Sequence, residues 1–256
     1  MLFILALYRW FLTMLCFVYV FVGGSLLSLT YFNYLKLFYK DEDIIHKKAR
    51  HAIFVTFNIL IQSAVFLRLI DLKFHDFDKL DNDGGSLIIA NHPTYIDYVI
   101  LASKIDNINC IIKEDIASNF LLKNVVKTAG LIVNTASDDS LLTFQKALDK
   151  NQKIVIFPEG TRTIDKDNIK LKRGFAQLAL RLPASMRLVY IHCTQDFLSK
   201  KSSWNTLYYK KPIYNFYAKD FFDLNDLNKQ FDDKNFALKA RHLTLKVEKL
   251  FNSFTK

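Results

Sequence analysis

Leu87-Ile88-Ile89-Ala90-Asn91-His92-Pro93-Thr94-Tyr95-Ile96-Asp97 begins as an unbroken apolar run and ends in residues able to do chemistry. An apolar run without alternation reads as a strand buried on both faces, as in a sheet covered by helices on each side. The same design recurs at Cys110-Ile111-Ile112-Lys113, Leu131-Ile132-Val133 and Ile154-Val155-Ile156-Phe157. It returns at Arg187-Leu188-Val189-Tyr190-Ile191 and Ile213-Tyr214-Asn215-Phe216-Tyr217. Helix-like segments lie between these runs, around residues 96–104, 115–128, 138–149 and 172–182. Ser137-Asp138-Asp139 suits a helix start, with acids at the positive end of the dipole. This alternation implies an α/β fold with a central mixed, largely parallel sheet flanked by helices. Phe236, Ala240, Leu243, Val247, Leu250 and Phe254 then mark one face of a C-terminal amphipathic helix, which we read as core packing.

Upstream the composition changes. No charged side chain occurs from Trp10 to Leu35. As a helix this stretch reaches ~39 Å, beyond the ~30 Å hydrocarbon core of a bilayer. One tilted span satisfies that length, and the Gly23-Gly24-Ser25 break allows a re-entrant hairpin instead. Tyr8, Trp10, Tyr31, Phe32 and Tyr34 suit the two interfaces. Ala52–Leu67, with Asn58, Gln62 and Ser63, falls short of a span and reads as an interfacial or packed helix. A cleaved signal peptide fits poorly, since the apolar run is too long and has no A-x-A-like site. Lys36, Lys40, Lys47, Lys48 and Arg50 follow the run, against Arg9 alone before it. The positive-inside rule then places the rest of the chain on the cytoplasmic side of the inner membrane. The expected organisation is N-terminal membrane-anchoring helices over 1–72 and a catalytic domain over 73–256.

The chain has 256 residues, 51% hydrophobic, and a net charge of +10. That excludes a disordered chain and implies an anionic partner. Nucleic acid, phospholipid and a phosphorylated substrate all qualify on charge. No helix-turn-helix, zinc or RNP signature is present, so nucleic acid is not the expected partner. Cys16, Cys110 and Cys193 are odd in number and far apart, offering neither a disulfide framework nor a metal cluster. A reducing compartment fits.

The exits of two buried strands carry the chemistry, as strand carboxyl ends do in open α/β sheets. After the first come His92 and Asp97. A turn entering a helix brings such an acid back onto the imidazole, where it fixes the tautomer and stabilises the imidazolium. His92 is then a general base. After the second come Phe157-Pro158-Glu159-Gly160-Thr161-Arg162. They join a carboxylate, a glycine permitting close approach, a hydroxyl and a guanidinium matched to phosphate. Lys172-Arg173-Gly174 opens a further helix with two cations, an arrangement that favours a bound anion.

Asn91-His92-x4-Asp97 and Phe157-Pro158-Glu159-Gly160-Thr161-Arg162, in that order behind buried strands, resemble two blocks of the glycerophosphate and lysophospholipid acyltransferases of the 1-acylglycerol-3-phosphate acyltransferase type. The resemblance extends over roughly residues 85 to 195. It implies acyl transfer from acyl-CoA or acyl-carrier protein, as co-substrate, to a hydroxyl of lysophosphatidic acid or a related lysophospholipid, with no cofactor. By the same resemblance His92 and Asp97 are catalytic, and Glu159, Gly160, Thr161 and Arg162 bind substrate, Arg162 holding the acceptor phosphate. Glu159 places Arg162 or an acceptor hydroxyl, and backbone N–H groups near Gly160 serve the oxyanion. Lys113 is a further oxyanion candidate, and a solvated lysine reads equally well there. No Ser or Cys flanks His92, which favours direct attack over an acyl-enzyme.

Two departures bear on the acceptor. Where the family's second block ends in an arginine, this chain reads Gly130-Leu131-Ile132-Val133-Asn134-Thr135. Where a proline is usual in a later strand, it reads Leu188-Val189-Tyr190-Ile191-His192. Lys172 and Arg173 are candidates for the missing charge. A specialised non-glycerophospholipid acceptor of the same mechanism is therefore an alternative, and a non-catalytic basic lipid- or nucleic-acid-binding protein is an alternative of another class.

Overall fold

A computed structural model describes residues 2–120, 122–133, 139–202, 206–224, 226 and 235–254. The helix start read at Ser137-Asp138, and Asn134-Thr135, lie outside them. The chain opens with α1 (Leu2–Val18), a π-helical turn (Tyr19–Gly23), α2 (Gly24–Leu29), α3 (Tyr31–Phe38) and α4 (Glu42–Phe66). Then follow β1 (Asp71–His75), α5 (Lys79–Asn82), β2 (Ser86–Ala90), α6 (Asp97–Lys104) and β3 (Ile108–Ile112). Next come α7 (Glu114–Ser118), α8 (Lys123–Ala129), β4 (Ile132–Val133), α9 (Asp139–Asp149) and β5 (Lys153–Ile156). The last described elements are α10 (Gly174–Ala179), β6 (Ser185–Cys193), β7 (Ile213–Asp223) and α11 (Phe236–Phe254). The fold is α/β, with a mixed, largely parallel sheet and flanking helices.

The chain forms two compact units. One holds Met1–Asp71, Tyr98–Ser137 and Trp204–Pro212. Its first 37 helical residues, Leu2–Phe38, and the 25 of α4 are both long and apolar enough to cross a membrane. Gly23 and Gly24 keep right-handed helical φ values of −62° and −63°, so the chain stays helical where a hairpin would reverse it. Ala52–Leu67 gains the length it lacked alone, because α4 starts at Glu42, where the Asp41 side chain accepts from the N–H of Asp43 at 2.8 Å. Phe11, Leu15, Val18, Phe21, Leu26 and Leu29 are exposed along the first helices. Such a continuous apolar surface is the kind that marks contact with a membrane or a partner. Phe32, Leu35, Ile45, Ala49 and Ala129 form this unit's core, and Arg50 Nη1 donates to the Ala129 carbonyl at 2.7 Å, satisfying the end of α8. Strands β3 and β4 pair in parallel, Ile111 opposite Ile132.

The other unit holds Leu72–Asp97, Asp138–Ser203 and Ile213–Lys256. Its strands run in the order β1-β7-β6-β2-β5. β2 is parallel to both β5 and β6, and β6 pairs antiparallel with β7. All five residues of β2 are buried, as the unbroken apolar run requires. The expected stripe on α11 is inward at Ala240, Leu243 and Val247, while near the end Phe251 is buried where Leu250 was expected and Phe236, Leu250 and Phe254 are half-buried. Asp83 and Arg187 form a buried ion pair in which Arg187 Nη2 donates to Asp83 Oδ1 at 2.5 Å.

Candidate active site

His92 and Glu159 meet because of strand register. Ile89 on β2 stands opposite Ile156 on β5. His92 and Glu159 are each three residues farther along, so two parallel neighbours release them at the same height. The N–H of His92 donates to Glu159 Oε1 at 3.0 Å, and Thr163 Oγ1 donates to the same oxygen at 2.7 Å. The N–H of Thr163 returns to the His92 carbonyl at 2.7 Å. One exit is therefore laced to the other through main chain and one buried carboxyl. Burial pushes the Glu159 carboxyl upward, and the bonds from Thr163 and from the His92 N–H pull it back.

His92 Nδ1 lies 2.8 Å from Asp97 Oδ2. Asp97 opens α6 and has no exposed surface. Its other partners come from Thr94: the N–H donates to Oδ2 at 2.7 Å, and Oγ1 donates to Oδ1 at 2.5 Å. Proline at 93 and the Thr94 N–H bond turn the chain so that a five-residue offset closes. Desolvation raises the Asp97 carboxyl above its ordinary range, opposed first by the bond and charge of His92 and then by Thr94. The imidazole stacks on Phe157, ring centroids 4.2 Å apart, which fixes its plane from the β5 side. It remains about one-fifth exposed, so a substrate can reach it.

The residues expected to bind substrate divide into two groups. Gly160 turns with φ +67°, and its N–H donates to the Phe157 carbonyl at 3.0 Å, so that donor closes the turn. A Cβ at Gly160 would come within 2.8 Å of Lys172 Nζ, which puts that ammonium over the turn. Lys172 is held there by its own N–H on the Pro158 carbonyl at 2.8 Å, and the preceding Leu171 N–H is anchored on Glu248 Oε2 of α11 at 3.0 Å. Thr161 is exposed, with Lys200 Nζ 3.3 Å from its Oγ1. Arg162 faces inward: Nη1 donates to the carbonyls of Ser199 at 2.5 Å and Leu198 at 3.3 Å, and the guanidinium covers the Tyr95 ring at 3.5 Å. Arg173 is exposed at the edge of α10. Lys113 follows β3 in the other unit, exposed.

Glu159 thus supports the His92 main chain where a partner in Arg162 or in substrate was expected. Lys200, Thr163, Thr94 and Phe157 were not singled out by sequence as site residues. Phe157 and Thr94 stood inside the motifs, whereas Lys200 is a lysine in a polar loop and carries no local signal.

Residues 71–192 match the acyltransferase family model. That stretch, just under half of the chain, holds both the His92–Asp97 pair and the Glu159 turn, and the chain is an O-acyltransferase. Its fold resembles the crystal structure of PlsC, the 1-acyl-sn-glycerophosphate (LPA) acyltransferase from Thermotoga maritima, with a TM-score of 0.63 at 15% identity. That likeness covers 96% of this chain and 94% of the other. A search of curated proteins by sequence gave no match. Within this acyltransferase the family match ends at His192, so β7 and Lys200 lie beyond it.

Proposed function

We propose that this chain is a membrane-bound acyltransferase that moves a fatty acyl group from acyl-CoA or acyl-carrier protein to a hydroxyl of lysophosphatidic acid or a related lysophospholipid. The observation that carries this reading is the 2.8 Å contact between His92 Nδ1 and the fully buried Asp97 carboxylate, beside a substrate-accessible turn rich in cations. With Nδ1 engaged by Asp97, Nε2 is the basic nitrogen. It takes the proton of the acceptor hydroxyl while that oxygen attacks the thioester carbonyl carbon. The tetrahedral intermediate collapses with cleavage of the C–S bond, and the leaving thiolate recovers the proton from the imidazolium. One ester forms, one thioester is lost, and no acyl-enzyme is involved. Asp97 contributes by stabilising the imidazolium and holding its orientation.

The acceptor phosphate sits, in this reading, over Gly160 and Thr161, between the ammonium groups of Lys172 and Lys200. Arg162 joins them through donors other than the one held by the Ser199 and Leu198 carbonyls, since a guanidinium carries five. These cations supply the charge that Leu131-Ile132-Val133 lacks, which also keeps a specialised phosphorylated acceptor open as a second reading. The N-terminal helices hold the enzyme in the inner membrane with its catalytic part cytoplasmic.

The test is acyl transfer from one radiolabelled acyl-CoA to a panel of lysophospholipid acceptors by the purified wild type and His92→Ala. A loss of ~10²–10⁴ in turnover is expected for a missing general base. Near-normal turnover in the variant would refute the mechanism. A wild type inactive on every glycerol-based acceptor would move the reading to the specialised acceptor.

A further inference from the structure

Behind the catalytic pair lies a polar side chain that the proposed chemistry does not use. Tyr214, on β7, has no exposed surface, and its hydroxyl donates to Thr94 Oγ1 at 3.1 Å. Thr94 Oγ1 in turn donates to Asp97 Oδ1 at 2.5 Å. A threonine hydroxyl has one proton and two lone pairs. When Tyr214 donates into one lone pair, the threonine proton is directed at the carboxylate. The chain of bonds therefore has a direction, from phenol to hydroxyl to Asp97 to the imidazole. Its other end is weak: the Tyr214 hydroxyl is linked to the thiol of Cys193 on β6, and a thiol is a poor hydrogen-bonding group. Cys193 and Tyr214 are register partners across the β6–β7 ladder, so the ladder sets the height from which the phenol reaches Thr94.

We propose that Tyr214 is a positioning residue for acyl transfer, acting through Thr94 to hold Asp97 as an oriented anion against His92. This rests on the reading of His92 and Asp97 given above. The geometry asks more of Tyr214 than occupancy of core volume. Asp97 turns Oδ2 toward both His92 Nδ1 and the Thr94 N–H, leaving Oδ1 with the Thr94 hydroxyl. Without the phenol that hydroxyl is free to rotate its proton away, and Oδ1 is then a buried anionic oxygen without a donor. The groups facing Asp97 are His92 from its own turn, Tyr214 from β7, Cys193 from β6 and Glu159 from the turn after β5. Only His92 among these carries positive charge when protonated, so loss of neutral donors weakens the anion without replacing it. Bonds from Thr94 lower the Asp97 pKa, consistent with that role.

Tyr214→Phe keeps the ring and removes the donor. The expected result is a ~3- to 10-fold fall in kcat/KM near neutral pH, the effect of one hydrogen bond of ordinary strength. The acid limb of the pH–rate profile should move up by ~0.4–1 pH unit, because a less stabilised carboxylate makes the pair take a proton more readily. The thioester KM should not change. Thr94→Val, which keeps the 94 N–H, should move the limb in the same direction. The double variant should be no worse than Thr94→Val alone, because both changes cut one chain. A limb that stays in place in Tyr214→Phe, or losses that multiply in the double variant, would overturn the proposal. Should Tyr214→Phe not fold, an unmoved limb in Thr94→Val does the same. His92→Ala assayed in parallel separates the two levels: if it remains active, the catalytic reading fails; if it is dead while the limb is unmoved, only the role of Tyr214 fails.

Discussion

Asp97→Asn puts the catalytic pair and the burial of its acid to one test. In the wild type Oδ2 accepts two N–H groups, from His92 Nδ1 and Thr94, and Oδ1 accepts the Thr94 hydroxyl. An asparagine oxygen at the Oδ2 position keeps both N–H bonds, but its amide then points at the Thr94 hydroxyl, which must surrender its bond to Oδ1. Flipped, the amide meets the Thr94 N–H donor and drives the His92 proton onto Nε2, the tautomer that cannot act as base. The first orientation removes the charge that stabilises imidazolium, and the second removes the base itself. Turnover should fall by ~10²–10⁴, or about 2.7–5.4 kcal/mol in the barrier.

Stability should respond in the opposite sense as pH rises. Burial raises the Asp97 carboxyl in the folded protein, so the native state binds that proton more tightly than the unfolded chain. The wild type therefore loses stability as pH climbs from the unfolded value, about 4, through the raised folded one. Asparagine has no such transition. The melting temperature of Asp97→Asn relative to wild type should thus improve from acid toward neutral pH, by roughly 2–4 °C per kcal/mol for a chain of this size. Acyl transfer and thermal unfolding in one detergent buffer series measure both. Turnover within tenfold of wild type, or a melting temperature of Asp97→Asn that falls relative to wild type as pH rises, would refute the reasoning.

Glu159→Gln keeps an oxygen for the His92 N–H and Thr163, and it removes a carboxyl that burial has raised. Its melting temperature should gain on wild type between pH ~4.5 and neutrality, with turnover reduced less than tenfold; Glu159→Ala, losing both bonds, should lose about 1–3 kcal/mol in denaturant titration. Lys200→Ala should raise the KM of a phosphorylated acceptor by ~3- to 10-fold and leave the thioester KM alone, since removing one partner of an exposed charge contact costs ~1 kcal/mol; equal changes in both constants would remove Lys200 from the phosphate site. In fractionated cells the full chain should stay with membranes after a high-salt wash and leave with detergent, because apolar helices hold it and salt screens only charge; release by salt would mean the exposed face of α1 and α2 does not enter the bilayer.

What the sequence made legible was local. The unbroken apolar runs gave β2, β5 and β6 because both faces of those strands are buried, and the turn residues that end β2 and β5 marked the site. β1 escaped because Asp71-Leu72-Lys73-Phe74-His75 alternates polar and apolar residues at a sheet edge, where solvent takes one face. The segment read as one helix over 115–128 divides into α7 and α8, and the one read over 172–182 shrinks to α10, its expected first residue Lys172 being held outside by its N–H on the Pro158 carbonyl. The glycine pair at 23 and 24 read as a break, yet both residues keep right-handed helical φ, because glycine weakens a helix without forbidding it. Lys200 and Tyr214 were illegible for a different reason. Each reaches the site from far along the chain, by 39 positions from Thr161 and 120 from Thr94, and only the β6–β7 ladder and its loops set those distances.

The same ladder logic explains how a chain can leave a buried strand and still place a base to within hydrogen-bond distance. The β2–β6 pairing runs to Ala90 opposite Val189. One residue later Asn91 continues it with its side chain: Oδ1 accepts from the Ile191 N–H at 2.7 Å, and Nδ2 donates to the Ile191 carbonyl at 2.8 Å. An amide side chain offers the donor and acceptor of a peptide unit, so β6 is satisfied while the β2 main chain is free to turn toward β5. The His92 N–H and carbonyl are then available for Glu159 and Thr163, which fix the backbone of the base on one side as Asp97 fixes its ring on the other. Asn-His is therefore a single device. Replacing Asn91 by Asp would leave the Ile191 carbonyl facing an acceptor, and the cost would fall on the geometry of His92 and not on its chemistry.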